Sequence, residues 1–293
     1  MKVAVIGSNG YIARNFVYYL KTNTDIEVYG YDIHDESVSN IPYKKINLLD
    51  ANTLNLVDTH VDFIYLFSGI TGVKQGFDNY DAFIDVNEKG LIALLNKIKM
   101  DNSNARIMFP STRLIYKGKK DIALHEDAEK ECNCLYGINK LACENILKLY
   151  NKAFDISYTI FRICVPYGDL ISGENSYGTI GFFKKSILEN GYITLYGDGQ
   201  QKRSFIHIED LCRALYFLQK DVRSKNEIFN LGGKDVMSLL ELSNVLIKKY
   251  GGELKFVPFP ELEERLETGD TIFDDSKLLN LGFEYKFDIS ILI

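Results

Sequence analysis

A phenol and an ammonium stand four residues apart in Tyr136-Gly-Ile-Asn-Lys140, which puts both on one face of a helix. A free tyrosine ionises near ~10, and a neighbouring ammonium together with a cationic ring in the same cleft favours the phenolate. Bringing the phenol to near ~7 requires about 4 kcal/mol of differential stabilisation, within reach of two positive charges in a sheltered cleft. Tyr136 is therefore a candidate acid/base and Lys140 its modulator. The stretch Phe109-Pro-Ser111-Thr112 closes an apolar run upstream, and a strand ending there delivers the Thr112 hydroxyl to the same crevice.

A second motif, Gly7-Ser-Asn-Gly10-Tyr-Ile-Ala13, lies between an apolar run and an amphipathic pattern of Ile12, Phe16, Val17 and Leu20. Glycines at 7 and 10 let the chain turn tightly and approach a pyrophosphate, Ala13 lets helix pack on strand, and the helix N-terminus offers N–H groups and positive dipole. Asp32 follows at the distance where an acid receives the ribose hydroxyls of a dinucleotide and repels a 2′-phosphate. The expected cofactor is NAD in preference to NADP. The five cysteines, at 132, 134, 143, 164 and 212, form no Cys-x-x-Cys pair and have no attendant histidine cluster. Neither a metal site nor a disulfide framework is expected, and Cys132-Asn-Cys134 reads as a surface-loop pair.

These groups need a scaffold, and the patterning supplies one. Val3–Ile6, Glu27–Tyr31, Phe63–Phe67, Ile107–Phe109 and Tyr158–Phe161 are short β-branched or aromatic runs that suit strands covered on both faces. Helical spacing recurs between them, over Tyr80–Ile98 and over Tyr136–Tyr150. The alternation predicts an α/β, Rossmann-type doubly wound parallel sheet whose ligands sit at the strand carboxyl ends. Beyond Arg162 the rhythm loosens, and the polar stretch Gly168–Gly181 reads as a loop feeding a smaller, interlocked lobe. That lobe is expected to hold a helix over Gly178–Glu189, a strand over Tyr192–Tyr196, a helix ending at Tyr250 and a strand over Leu254–Val257. The expected division is 1–164, with 204–225 returning to it, against 165–203 and 226–293.

The chain is long enough for a sizeable core, with 293 residues of which 46% are hydrophobic. Its 34 Lys+Arg are outnumbered by 40 Asp+Glu with no basic stripe, so nucleic acid is not an expected partner. No stretch approaches the ~20 apolar residues of a membrane span, and the N-terminal apolar run is too short for a signal core. A cytoplasmic protein without a membrane partner is expected.

With these motifs in hand, the chain resembles the extended short-chain dehydrogenases/reductases, the group of NAD-dependent nucleotide-sugar epimerases, reductases and dehydratases. The resemblance extends to Asp85-Val-Asn87-Glu-Lys-Gly90, to Lys140-Leu-Ala-Cys-Glu144, to Arg162 with Pro166-Tyr167-Gly168, and to Tyr196–Asp210. It implies that Tyr136 is the acid/base, that Lys140 holds the nicotinamide ribose, and that Thr112 hydrogen-bonds the reacting oxygen. It implies cofactor contacts from Gly7, Asn9, Gly10, Tyr11, Ile12, Asp32, Asn47, Leu48, Phe67, Ser68, Gly69, Asn87, Tyr136, Lys140 and Cys164. A nucleotide-sugar substrate would meet Ser111, Thr112, Tyr136, Val165, Tyr196 and Arg203, with Arg203 on the diphosphate because a guanidinium matches phosphate oxygens. His207, at the entry to a helix, reads as structural. Relatives pair through the two long helices, which implies a homodimer, and Ile92 and Leu149 lie off the main apolar stripes in agreement with it.

The chain departs from the family pattern at three points. Arg113 and Leu114 follow Thr112 where dehydratases carry an acid, which disfavours dehydration. Val165 stands where many members have a phosphate-holding asparagine. No arginine immediately precedes Gly269-Asp270, although Arg265 is one helical turn away. Three readings stay open: a 4-epimerase acting through a transient 4-keto sugar with retained NAD, an NAD(P)H-dependent reductase of a 4-keto-6-deoxy nucleotide sugar, and a non-catalytic NAD-sensing module.

Overall fold

Seven strands form one sheet, in the order Glu227–Leu231, Tyr158–Ile163, Arg106–Thr112, Phe63–Leu66, Lys2–Ile6, Glu27–Asp32 and Tyr43–Lys45. In the computed structural model, which describes residues 1–73, 75–171 and 178–292, Lys2–Ile6 pairs in parallel with both of its neighbours. The sheet forms because its middle strands are apolar on both faces. Val3, Ala4, Val5 and Ile6 are all buried, as is every residue of Tyr158–Ile163. The three-residue strand Tyr43–Lys45 at the sheet edge was not foreseen, since its residues are half-buried or exposed and show no apolar run.

Two compact units emerge. The first comprises 1–115, 134–162 and 215–229. One of its core layers packs Ile6, Ile64, Leu66, Leu91, Leu94 and Ile160 together. Elsewhere in the unit Tyr65 lies 4.5 Å from the Phe16 ring, and its hydroxyl donates to Gln219 Oε1 at 2.8 Å. The helix expected over Tyr80–Ile98 runs from Tyr80 to Met100, interrupted by a π-helical turn at Asp85–Lys89. Such turns recur at functional sites.

The second unit comprises 116–133, 163–214 and 230–293. Its strand Lys202–His207 pairs antiparallel with Asp235–Ser238 and parallel with Val165–Tyr167, and Glu253–Val257 pairs with Tyr192–Tyr196. Phe183, Ile193, Phe205, Leu242 and Leu246 fill its core. Ser238 begins the helix Leu239–Tyr250 with a reciprocal cap, its hydroxyl accepting from Glu241 N at 3.1 Å while its own N–H donates to the Glu241 carboxylate. This division differs from the expected one at three places, the smallest being that residues 163–164 belong to the second unit. Residues 116–133 belong to the second unit: Ala123–Leu124 pairs in parallel with Ile272–Phe273, and buried Asn230 accepts from the Tyr116 hydroxyl at 2.7 Å and donates to Leu124 O at 2.8 Å. The return to the first unit is 215–229, not 204–225. Of the loop expected over Gly168–Gly181, residues 172–177 lie outside the described residues.

Candidate active site

A cavity of about 370 Å³ opens at the carboxyl ends of the first unit's strands. Gly7, Gly10, Asp32, Asn47, Leu48, Phe67, Ser68 and Gly69, all expected on the cofactor, line it, as do Ile6, Ile33, His34, Ile46, Leu49, Ile70 and Val86, which were not singled out. Gly7 is required by geometry: its φ is +81°, and a Cβ there would sit 2.4 Å from Ser68 N. Gly10 has ordinary dihedrals and opens the helix Tyr11–Asn23 with no side-chain cap and no acid in the first turn, leaving that N-terminus to an anion.

Asp32 ends its strand at the cavity. One carboxylate oxygen accepts from Asn9 N at 2.9 Å, and the other accepts from Ile33 N at 2.8 Å and lies 2.7 Å from His34 Nδ1. The Asn9 side chain itself braces the loop beyond, bonding Glu36 O and Val38 N. Asn9, Tyr11 and Ile12 thus shape the turn without lining the cavity. Apolar walls, a carboxylate at one end and an open helix N-terminus fit the adenosine end of a dinucleotide.

Asn87 is placed differently from expectation. It lies behind the wall, where its side chain accepts from Ile70 N at 2.8 Å and donates to Ile70 O at 3.0 Å, fastening the loop that lines the cavity. The π-helical turn sets this position. Asn139, buried on the Tyr136 helix, accepts from Asn87 at 3.4 Å and donates to Glu88.

Tyr136, Lys140 and Thr112 all belong to the first unit, on the helix Leu135–Phe154 and at the end of the strand Arg106–Thr112. Lys140 is buried; its ammonium donates to Pro110 O at 2.7 Å and lies 4.4 Å from the Phe109 ring centroid and 5.8 Å from that of Tyr136. Burial pushes it down to about 8, against the opposing pull of Cys143 and Glu144. At neutral pH the charged form still predominates, which is the form that favours a phenolate. The helix is capped by an unexpected group: Cys134 is buried, and its sulfur accepts from Gly137 N at 3.4 Å, so it is no surface-loop residue.

Ser111, expected on the substrate, instead donates to buried Glu144 Oε1 at 2.6 Å, and Glu144 is clamped by Arg162 through contacts of 3.0 and 2.7 Å. A carboxylate fully removed from water needs these partners, so the Ser111 hydroxyl is committed to fixing strand against helix. Thr112, the next residue, accepts from Leu114 N at 3.3 Å.

In the second unit, Arg203 is buried and engaged, donating to Glu267 at 2.6 Å and to the carbonyls of Lys202 and Gly269. Tyr196 is 41% exposed beside Phe259, and Val165 is buried in the core. Arg265 pairs on the surface with Glu261. Cys164, expected on the cofactor, donates its thiol to Gly232 O at 3.1 Å. Burial lowers the basicity of His207, which packs against Tyr167 and Phe287. Among the described residues no group of His, Cys, Asp and Glu is arranged to hold a metal, and no helix is long and apolar enough to cross a membrane.

A doubly wound sheet with a cavity at its strand ends, lined by a glycine turn and Asp32, defines a dinucleotide-binding scaffold. Residues 3–232 match the NAD dependent epimerase/dehydratase family, and the chain belongs to that family. A UDP-glucose 4-epimerase of Lactobacillus helveticus is 28% identical over 289 residues, 89% of this chain and 85% of the relative. The solved UDP-glucose 4-epimerase of Thermotoga maritima, with UDP-glucose, superimposes with a TM-score of 0.86 at 20% identity over 99% of this chain and 95% of that one. The dTDP-glucose 4,6-dehydratase of Streptomyces venezuelae does so with the same score at 23% identity, covering 99% and 94%. At these identities the two superpositions establish the shared fold. The cofactor is NAD.

Proposed function

We propose that the protein is an NAD-retaining 4-epimerase of a nucleotide-linked hexose, with Tyr136, Lys140 and Thr112 as its reacting groups. Bound NAD supplies an acceptor and donor of hydride at the sugar C4. Tyr136 takes the proton from the 4-hydroxyl and returns it after the transient 4-keto sugar has presented its other face, while Thr112 hydrogen-bonds the same oxygen. Lys140 contributes charge beside the phenol. The observation that carries the reading is the pairing of Asp32 at the cavity, whose carboxylate suits the ribose hydroxyls of NAD, with Arg113-Leu114 in the turn directly after Thr112, where an elimination acid is missing. The name of the Lactobacillus relative supports it.

Arg203 is the proposed diphosphate anchor, which requires it to exchange Glu267 for phosphate oxygens. A homodimer through the helical run 80–100 and the helix Leu135–Phe154 is also proposed, because Ile138, Leu149 and Phe154 on the latter are exposed. Light scattering at micromolar concentration that returned a monomer mass would remove that part. The functional test is incubation with UDP-glucose, UDP-galactose and their N-acetyl forms without reductant, and separately with a 4-keto-6-deoxy sugar nucleotide plus NADH or NADPH. Epimer formation in the first assay is expected. Stoichiometric NAD(P)H consumption in the second, with no epimer in the first, would make the enzyme a reductase.

A further inference from the structure

His34 stands where the cavity ends at Asp32, and no motif pointed to it. Its ring is 71% exposed, it lines the cavity, and its Nδ1 lies 2.7 Å from Asp32 Oδ1. A carboxylate oxygen only accepts, so a neutral imidazole in this contact carries its proton on Nδ1 and leaves Nε2 as a bare acceptor. That acceptor suits a hydroxyl and has nothing to offer a phosphate. Protonation reverses the preference, because Nε2–H becomes a charged donor and the imidazolium offsets the Asp32 charge that repels a 2′-phosphate.

We propose that His34 is a second cofactor-selecting residue, which enforces NAD as a neutral imidazole beside Asp32 and admits a 2′-phosphate as an imidazolium. The proposal rests on the cavity holding the adenosine ribose at Asp32. The charged and titratable groups around His34 are Asp32 from the strand Glu27–Asp32, Asp35 on its own loop, and Tyr43 and Lys45 from the neighbouring strand. Tyr43 donates its hydroxyl to His34 O, and Lys45 pairs with Asp35 at 2.6 Å. The Lys45 ammonium is thereby held on a carboxylate, while Asp32 stays in contact with the imidazole.

The test is calorimetric binding of NAD and NADP to the nucleotide-stripped protein between about pH 5.5 and about pH 8, where histidine changes charge. Wild type, His34→Gln and Asp32→Ala are compared. The 2′-phosphate itself gains a proton near pH ~6, so the informative quantity is the difference between wild type and variant. In wild type the ratio of NADP to NAD dissociation constants is expected to fall about tenfold more on acidification than in His34→Gln, the scale of one charge-assisted hydrogen bond. Equal pH dependence of that ratio in the two proteins would overturn the role of His34. Unchanged NAD affinity in Asp32→Ala would instead overturn the assignment of the cavity, and the inference with it.

Discussion

Replacing Lys140 by methionine separates what the buried ammonium does for chemistry from what it costs the fold. In the unfolded chain the lysine titrates near 10.5, and in the folded protein burial holds it down to about 8. The native state therefore binds fewer protons than the unfolded state between these values, and stability attributable to Lys140 rises with pH across that window. Below pH 8 the charged lysine is buried at its full cost, about 3 kcal/mol from the displacement of its titration. As pH climbs from 8 toward 10.5 that cost disappears. Lys140→Met also removes the hydrogen bond to Pro110 O, but the neutral amine still donates, so this loss is nearly independent of pH. The diagnostic is thus a double difference. Urea unfolding of the nucleotide-free proteins should show wild-type stability, measured relative to Lys140→Met, increasing by about 2 kcal/mol from pH ~7 to pH ~9.5. Turnover of the variant should fall by at least about 10²-fold, because the phenol loses its neighbouring charge. A flat or falling difference would refute the claim that burial lowers the titration of Lys140 beside Tyr136.

Tyr136→Phe should keep the fold and NAD affinity while slowing turnover by about 10²- to 10⁴-fold, checked by steady-state kinetics beside calorimetry. Asp32→Ala should weaken NAD and narrow the preference over NADP, and a wild type that already prefers NADP would contradict the role given to Asp32. Glu144→Ala removes the carboxylate from buried Arg162 and Ser111, so equilibrium unfolding should register a loss of about 3–5 kcal/mol. Gly7→Ala drives a Cβ into Ser68 N at a positive φ; the soluble fraction and Tm should both drop, and an unaltered Tm would show that the turn relaxes freely.

Much of this molecule was legible in one dimension. Short apolar runs announced the buried parallel strands, three-to-four spacing announced the long helices, and the glycine turn and Asp32 stood at the strand ends that line the cavity. These signals survive because each depends on local periodicity or on a residue type acting at an element's end. Other features carry no local mark. Ser111 is turned from substrate to structure by Glu144 and Arg162, Asn87 is drawn behind the cavity wall by the backbone of Ile70, and Arg203 is met by Glu267. Residues 116–133 join the second unit through Asn230, the strand pairing of Ala123–Leu124 with Ile272–Phe273 and the Lys202–Asp121 ion pair, and His34 reaches Asp32 where the loop turns. Each is a polar pairing whose partners are brought together by packing of elements distant in sequence or by a loop's path. A buried hydroxyl, amide or charge must be satisfied by whichever partner the fold brings within about 3 Å. The sequence by itself determined which chemistry is present and on which elements; only the tertiary structure decided which polar groups face the cavity and which are consumed in holding it open.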